Sequence, residues 1–474
     1  MTSTIPRGFY VAGIWAETAG VRQIVCPADQ TPVGAVAECT SDDAAAAVLA
    51  ARSAFDEGSW SGLPQRRRGD LLLRVADLLE RDLAVYAKAE ALDTGKPLAE
   101  ARHDVVDVIG CFRRYGEMAS VDAAERETAD TDAGNVRVAD PVGVCALITS
   151  SRYPLPQLAW RLAPALLAGN TVVLKPAELT PATAILLMDT LTEAGLPAGV
   201  GNLVTGTGGE VGAVLTTHPA VDLVSLAASV TTGREVLAAA ADSLKPVLLE
   251  VAGSSPIVVL GDADRDAAVE MVLAAAFVHP GPLWSAGARL LVQDGIADDV
   301  VSDLVRRVEQ IRLGGPFDEE GRAGPLISQR HRDDVHRAVQ AAVAGGARLR
   351  CGGTLPSDPA LAAGSFYPPT VLDGGTSALA DLRQGLGGAV LTVQTFGSEA
   401  EAVALANDDR YAGAGAVWTR DARLGRRMAT ALRARTVGIN YHPRHSLPSR
   451  GDLAGLQRST QVWQRPEPAP HLSG

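Results

Sequence analysis

An α/β architecture of two successive units is what this 474-residue sequence predicts. Three observations predict it. Short, wholly apolar runs of strand length alternate with longer segments of helical period, the pattern of parallel strands joined by crossover helices. The alternation runs once over residues 142–252 and starts again after Gly253. The chain is also too long for one simple core, and its 47% hydrophobic content is enough to fill two.

The elements follow in order. Residues 41–56 read as a helix, with Ser41 as the expected N-cap and acids in its first turn. A second helix runs from about Leu63 to Arg81, where Leu71, Leu72, Val75, Leu78 and Leu79 recur at helical spacing. A third begins near Leu83 and ends at Gly95 and Pro97. A fourth covers 98–119. Residues 120–140 are polar and acidic, an exposed excursion with a strand about Val136 and Val138. Strands are expected at 142–148, 171–174 and 202–204, with helices from about Leu155 and over 182–194, then a glycine-rich turn and a helix. The second series has strands at 256–260, 288–292, 390–395, 414–418 and 436–440 and helices at 267–278 and 298–311. The proline-rich tail, 464–474, reads as extended.

Composition excludes several classes. The net charge of -12 provides no footprint for nucleic acid or an anionic membrane. No apolar run is long enough to span a bilayer and the N-terminus has no signal core, so a cytoplasmic protein is expected. Five scattered cysteines (Cys26, Cys39, Cys111, Cys145, Cys351) suggest neither disulfides nor a metal site. Only four residues are lysine (Lys88, Lys96, Lys175, Lys245), which makes each one informative.

Read in sequence, ALDTGKPLAEAR (91–102), DPVGVCALITSSRYP (140–154), LAPALLAGNTVVLKPAELTP (162–181), GLPAGVGNLVTGTGGEVG (195–212), LLEVAGSSP (248–256), AGPLIS (323–328) and NDDRYAGAGAVWTRD (407–421) resemble the aldehyde dehydrogenase superfamily, collinearly over nearly the whole chain. The resemblance implies an aldehyde dehydrogenase-like fold. It has a Rossmann-type dinucleotide domain (1–120 and 141–252), an α/β catalytic domain (253–436), and bridging segments (121–140 and 437–474) with a β-arm for oligomerisation. It also implies a chemistry: a cysteine attacks the aldehyde, an asparagine and a backbone N–H stabilise the oxyanion, hydride leaves to NAD(P), and a glutamate activates water.

Several of those positions are altered. In HPGPLWSAGAR (279–289), Trp284 falls on the nucleophilic cysteine, Pro282 on a glutamine and His279 on an asparagine. An indole cannot attack a carbonyl. Ser285 and His279 are better read as filler and structural residues than as substitutes. Arg152 takes the oxyanion asparagine's place. It either binds an anion or simply fills the pocket, and the bland reading is preferred. Glu250 matches the general base.

On the cofactor side, Thr149 and Ser150 fall on the cofactor-contacting stretch. Lys175 and Glu178 match the pair on the adenosine ribose, where Glu178 disfavours a 2'-phosphate and selects NAD. Gly206, Gly208 and Gly212 fit the adenine side. In LAASV (226–230) only Ser229 persists of the pyrophosphate element, and the Ala228 methyl is expected to obstruct the phosphates. Gly385 and Gly387 replace the glutamate and phenylalanine that hold the nicotinamide ribose.

These changes lead to an expectation of a family member without ordinary dehydrogenase activity: a pseudoenzyme with a structural or regulatory role. It would be a homo-oligomer, or a hetero-oligomer with an active dehydrogenase-like subunit, holding NAD weakly or not at all, with no metal, nucleic acid or membrane. The alternatives are an NAD-dependent oxidoreductase acting on an aldehyde without a cysteine nucleophile, and a protein that binds a nucleotide or an anionic metabolite.

Overall fold

The computed structural model describes residues 7–18, 20–119, 135–251, 253–278, 287–379, 382, 388–409, 411–441 and 455–463. Its first unit is a seven-stranded sheet in the spatial order Val247–Val251, Leu223–Ala228, Val144–Ile148, Thr171–Lys175, Gly201–Val204, Phe9–Val11, Ile14–Ala16. The first five are parallel. The two N-terminal strands add on antiparallel, at one edge.

Alternation along the strands explains why both faces are covered. Cys145, Leu147, Val172 and Leu174 join one core with the helices Gln65–Arg81, Leu98–Met118 and Pro154–Ala168. Val144, Ala146, Ile148 and Val173 join a second core with Ser41–Asp56 on the opposite face.

The Val144–Ile148 strand is where the winding reverses. Its successor Thr171–Lys175 lies on one side and the later Leu223–Ala228 on the other. A crevice at the carboxyl ends of parallel strands opens at such a point. Thr149 to Arg152 leave the sheet there.

The second unit is another seven-stranded sheet: Arg348–Cys351, Thr370–Asp373, Val390–Phe396, Gly287–Gln293, Ser255–Val259, Ala414–Trp418, Thr436–Ile439. All are parallel except the first, an edge strand. Ile257 and Val259 face one apolar cluster while Val258 and Leu260 face another, so this sheet too is covered on both sides. Asn135–Pro141 pairs antiparallel with Gln457–Trp463, which joins the expected arm to the C-terminal segment.

Helix boundaries fall close to the sequence reading, with instructive differences. The first helix does begin at Ser41, but Thr40 caps it: its side chain accepts from the Asp43 N–H while Asp43 reaches back to the Thr40 N–H. The second starts at Gln65, one residue past Pro64. The third ends on Gly95, whose φ of +75° is the left-handed cap that a side chain resists. The glycine-rich turn at Gly208–Gly212 is itself a wide helical turn running into Ala213–Thr217. Strands Gly20–Val25 and Pro32–Glu38 and the helix Gln329–Ala344 were not foreseen. The tail at 464–474 lies outside the described residues.

Candidate functional site

At the carboxyl ends of the first sheet's strands, Lys175, Glu178 and Gly208 come together. Lys175 ends its strand almost fully buried and Glu178 follows in the next turn. One Glu178 oxygen accepts the Gly208 N–H at 2.8 Å and the other accepts from Arg22 at 3.1 Å. Arg22 also pairs with Glu38. Burial opposes ionisation of Glu178, but the Gly208 amide, Arg22 and Lys175 outweigh it and hold its carboxyl below the usual range. Burial lowers the Lys175 ammonium, and Glu178 partly restores it. A Cβ on Gly212 would stand 3.8 Å from the Lys175 side chain, so this glycine borders the same corner.

Thr149 donates its backbone N–H to Lys175 O at 3.1 Å, and its hydroxyl is buried with no partner among the described residues. A buried hydroxyl without a partner at a switch point has unused capacity for a ligand. The retained residues therefore fit the adenosine half of a dinucleotide.

Ser150 and Ser229 have local duties. Gln157 accepts the Ser150 N–H at 3.0 Å and donates to Arg152 O at 2.7 Å, tying the turn that starts the helix Pro154–Ala168. Ser229 caps the helix Val230–Ala241, accepting from Thr232 N at 3.2 Å. The Ala228 methyl packs half-buried against the core of Val211, Leu215 and Val224.

The reactive side is different. Arg152 precedes Tyr153, which adopts a left-handed φ of +57°. Burial lowers the Arg152 pKa, opposed by Tyr153 and Glu100. Arg152 lines a cavity of about 320 Å³ with Lys96, Glu100, Tyr153, Phe277 and Leu326. Behind that wall, Lys96 Nζ lies 2.5 Å from Asp104, 3.7 Å from Glu90 and 4.3 Å from the Tyr153 ring centre. Burial pushes Glu90 up to about 7 and Asp104 up to about 6 against the pull of Lys96.

Glu250 does not line this cavity. It lies within the strand Val247–Val251, half-buried, and pairs with Arg161 at 2.6 Å. It lines two other concavities, one with Tyr411 and Arg435, the other with Arg161 and Ser225. Trp284, His279, Pro282, Ser285, Gly385 and Gly387 lie outside the described residues.

Four of the five thiols are shifted away from activation. Burial pushes Cys39 and Cys351 up to about 11 and raises Cys26 and Cys145 as well, the reverse of an activated thiolate.

Arg22, Lys96 and Arg161 were missed as site residues. The lysine scarcity was a usable signal: three of the four lysines are buried here, Lys96 and Lys175 among them. Arg161 was signalled by a cation inside the otherwise apolar PLPQLAWRLAPALLA.

A doubly wound parallel sheet with a crevice at its switch point, joined to a second α/β unit, is an architecture of the dinucleotide-binding type. The chain belongs to the aldehyde dehydrogenase family, whose profile matches residues 15–462. It is 42% identical over 438 residues to a betaine aldehyde dehydrogenase of Bacillus subtilis, covering 92% of this chain and 89% of that one. It is 37% identical over 442 residues to an aldehyde dehydrogenase of Aspergillus niger, covering 92% and 88%. Betaine aldehyde dehydrogenase of Staphylococcus aureus, solved in complex with NAD+, superposes with a TM-score of 0.93 at 34% identity, covering 99% of this chain and 97% of that one. No described helix is long and apolar enough to cross a membrane.

Proposed function

We propose that the chain is an NAD-linked oxidoreductase of the aldehyde dehydrogenase family whose reaction does not pass through a cysteine thiol. The whole-chain likeness to named dehydrogenases favours a working oxidoreductase over the pseudoenzyme expected from the sequence. The observation that carries the reading is the intact corner of Lys175, Glu178 and Gly208, beside a position 284 that holds tryptophan. When bound, NAD supplies a hydride acceptor. Lys175 and Glu178 would hold its adenosine ribose and the Thr149 hydroxyl would gain a partner. Glu250, paired with Arg161 and 29% exposed, is a group placed to take a proton from the hydroxyl of a hydrated aldehyde.

The test is NADH formation over a panel of aldehydes with the wild type, Glu250→Gln and Trp284→Cys. Activity in the wild type that Glu250→Gln removes supports the reading. Activity that appears only in Trp284→Cys sinks it. That outcome would support the second reading, a non-catalytic subunit that assembles with an active dehydrogenase. Trp284 and Arg152 favour the second reading, and co-purification with such a subunit would carry it.

A further inference from the structure

Glu250 belongs to two concavities at once. The larger, of about 570 Å³, lies beside the helix Pro154–Ala168, and the smaller, of about 190 Å³, beside Tyr411 and Gly413. Leu249, Glu250 and Arg435 line both. Among the described residues, Arg161, Glu250 and Arg435 are the charged groups of the two linings. Arg161 donates to Glu250 at 2.6 Å and to Gln157 O at 2.8 Å, so the charges of that pair cancel. Arg435 is exposed and has no hydrogen-bond or ion-pair partner among the described residues. Two cations against one anion leave the lining positive. Arg234 adds to that sign, donating to the Tyr411 hydroxyl at 3.1 Å. The rest of the larger lining is mostly apolar, with Trp160, Pro164, Leu237 and Leu248. A free guanidinium fork beside apolar surface matches a carboxylate on a short hydrocarbon chain and repels a cation.

We propose that the aldehyde taken at Glu250 carries a carboxylate, and that Arg435 holds it. This names the substrate class of the oxidoreductase reading and rests on that reading. Glu250 takes the proton from one hydroxyl of the hydrated aldehyde, that oxygen's electron pair forms the C=O bond, and the carbon's hydrogen leaves with its pair as hydride to NAD. The aldehyde carbon ends as a carboxylic acid, so the product is a dicarboxylate. The same lining separates this chain from a relative named for betaine aldehyde, since a quaternary ammonium would meet Arg435.

The experiment pairs calorimetric titration of the full chain with NADH formation. Succinate, glutarate and tetramethylammonium are titrated at matched ionic strength, and glutaric semialdehyde, pentanal and betaine aldehyde are compared as substrates. The dicarboxylates should bind and tetramethylammonium should not, and glutaric semialdehyde should show the lowest KM. Arg435→Gln should weaken glutarate, and raise the KM of glutaric semialdehyde relative to pentanal, by about tenfold or more. Arg435→Lys should recover part of that loss. Leu237→Glu adds an anion at an exposed position of the larger lining and should weaken glutarate with Arg435 intact. No dicarboxylate binding at millimolar concentration, equal binding of tetramethylammonium, a glutarate affinity unmoved by Arg435→Gln, or a KM for glutaric semialdehyde no lower than for pentanal overturns the proposal. Glutarate binding that depends on Arg435, with no NADH from any aldehyde, would instead count against the oxidoreductase reading and keep Arg435 as a carboxylate site.

Discussion

The two sides of the crevice solve the burial of charge in opposite ways. On the nucleotide side, part-exposed Arg22 is tied to Glu38 and Glu178 beside the buried Lys175, and the Glu178 carboxyl is held below its usual range. On the reactive side, Lys96 is enclosed with Glu90, Asp104 and Glu100, whose carboxyls are all pushed up. The first arrangement leaves hydrogen-bonding capacity for a ligand. The second spends its charge on itself and depends on complete pairing.

The largest expected effect comes from breaking the enclosed group. Lys96→Met removes the cation that stands 2.5 Å from Asp104 and 3.7 Å from Glu90. Orphaning a buried pair costs about 3–5 kcal/mol. Denaturant unfolding should show that loss, larger at pH 8 than at pH 5, because the stranded acids can protonate at the lower pH. A loss below ~1 kcal/mol would mean that water already reaches the group.

Next is Asp93, which accepts from Ala182 N at 2.7 Å and whose carboxyl burial raises to about 8. The unfolded chain ionises at the ordinary value near 4, so the folded state binds the extra proton between about pH 4 and 8. This contribution to stability is present below that window and is lost as pH rises through it. Asp93→Asn keeps an acceptor and removes the titration. Its melting temperature should exceed the wild type's at pH 8, by the equivalent of about 1–3 kcal/mol, and the advantage should vanish near pH 4. A constant offset across pH would refute the assignment.

On the nucleotide side, Glu178→Ala removes the acceptor for Gly208 N and one partner of Arg22. NAD affinity should fall by about tenfold, or ~1.4 kcal/mol, with little loss of stability because the Arg22–Glu178 pair is part-exposed. An unchanged NAD affinity would remove the support for a working cofactor corner.

How much of this was legible beforehand depends on whether a position is set by local pattern or by distant packing. The run VCALI and the helix 41–56 declare themselves through apolar periodicity, and Lys175 and Glu178 through a contiguous motif. The link from Glu178 to Arg22 spans 156 residues, and that from Arg161 to Glu250 spans 89, so no local pattern shows either. The cap assigned to Ser41 belongs to Thr40 because Asp43 completes a reciprocal pair one register earlier.

The smallest effect is the most discriminating, because its sign differs between the free and bound states. The Thr149 hydroxyl is buried without a partner among the described residues, and a valine would occupy nearly the same volume. If the hydroxyl exists to meet a ligand, it burdens the free protein. Thr149→Val should then raise the stability of the ligand-free chain by up to about 1 kcal/mol and weaken NAD by several-fold. Thermal melts with and without NAD measure both in one series: the variant's baseline melting temperature rises while its NAD-induced increment shrinks. A baseline that rises with an unchanged increment would place the cofactor away from Thr149. A baseline that falls would show that the hydroxyl already has a structural partner, and would make the two sides of the crevice alike in spending their polar groups on the fold.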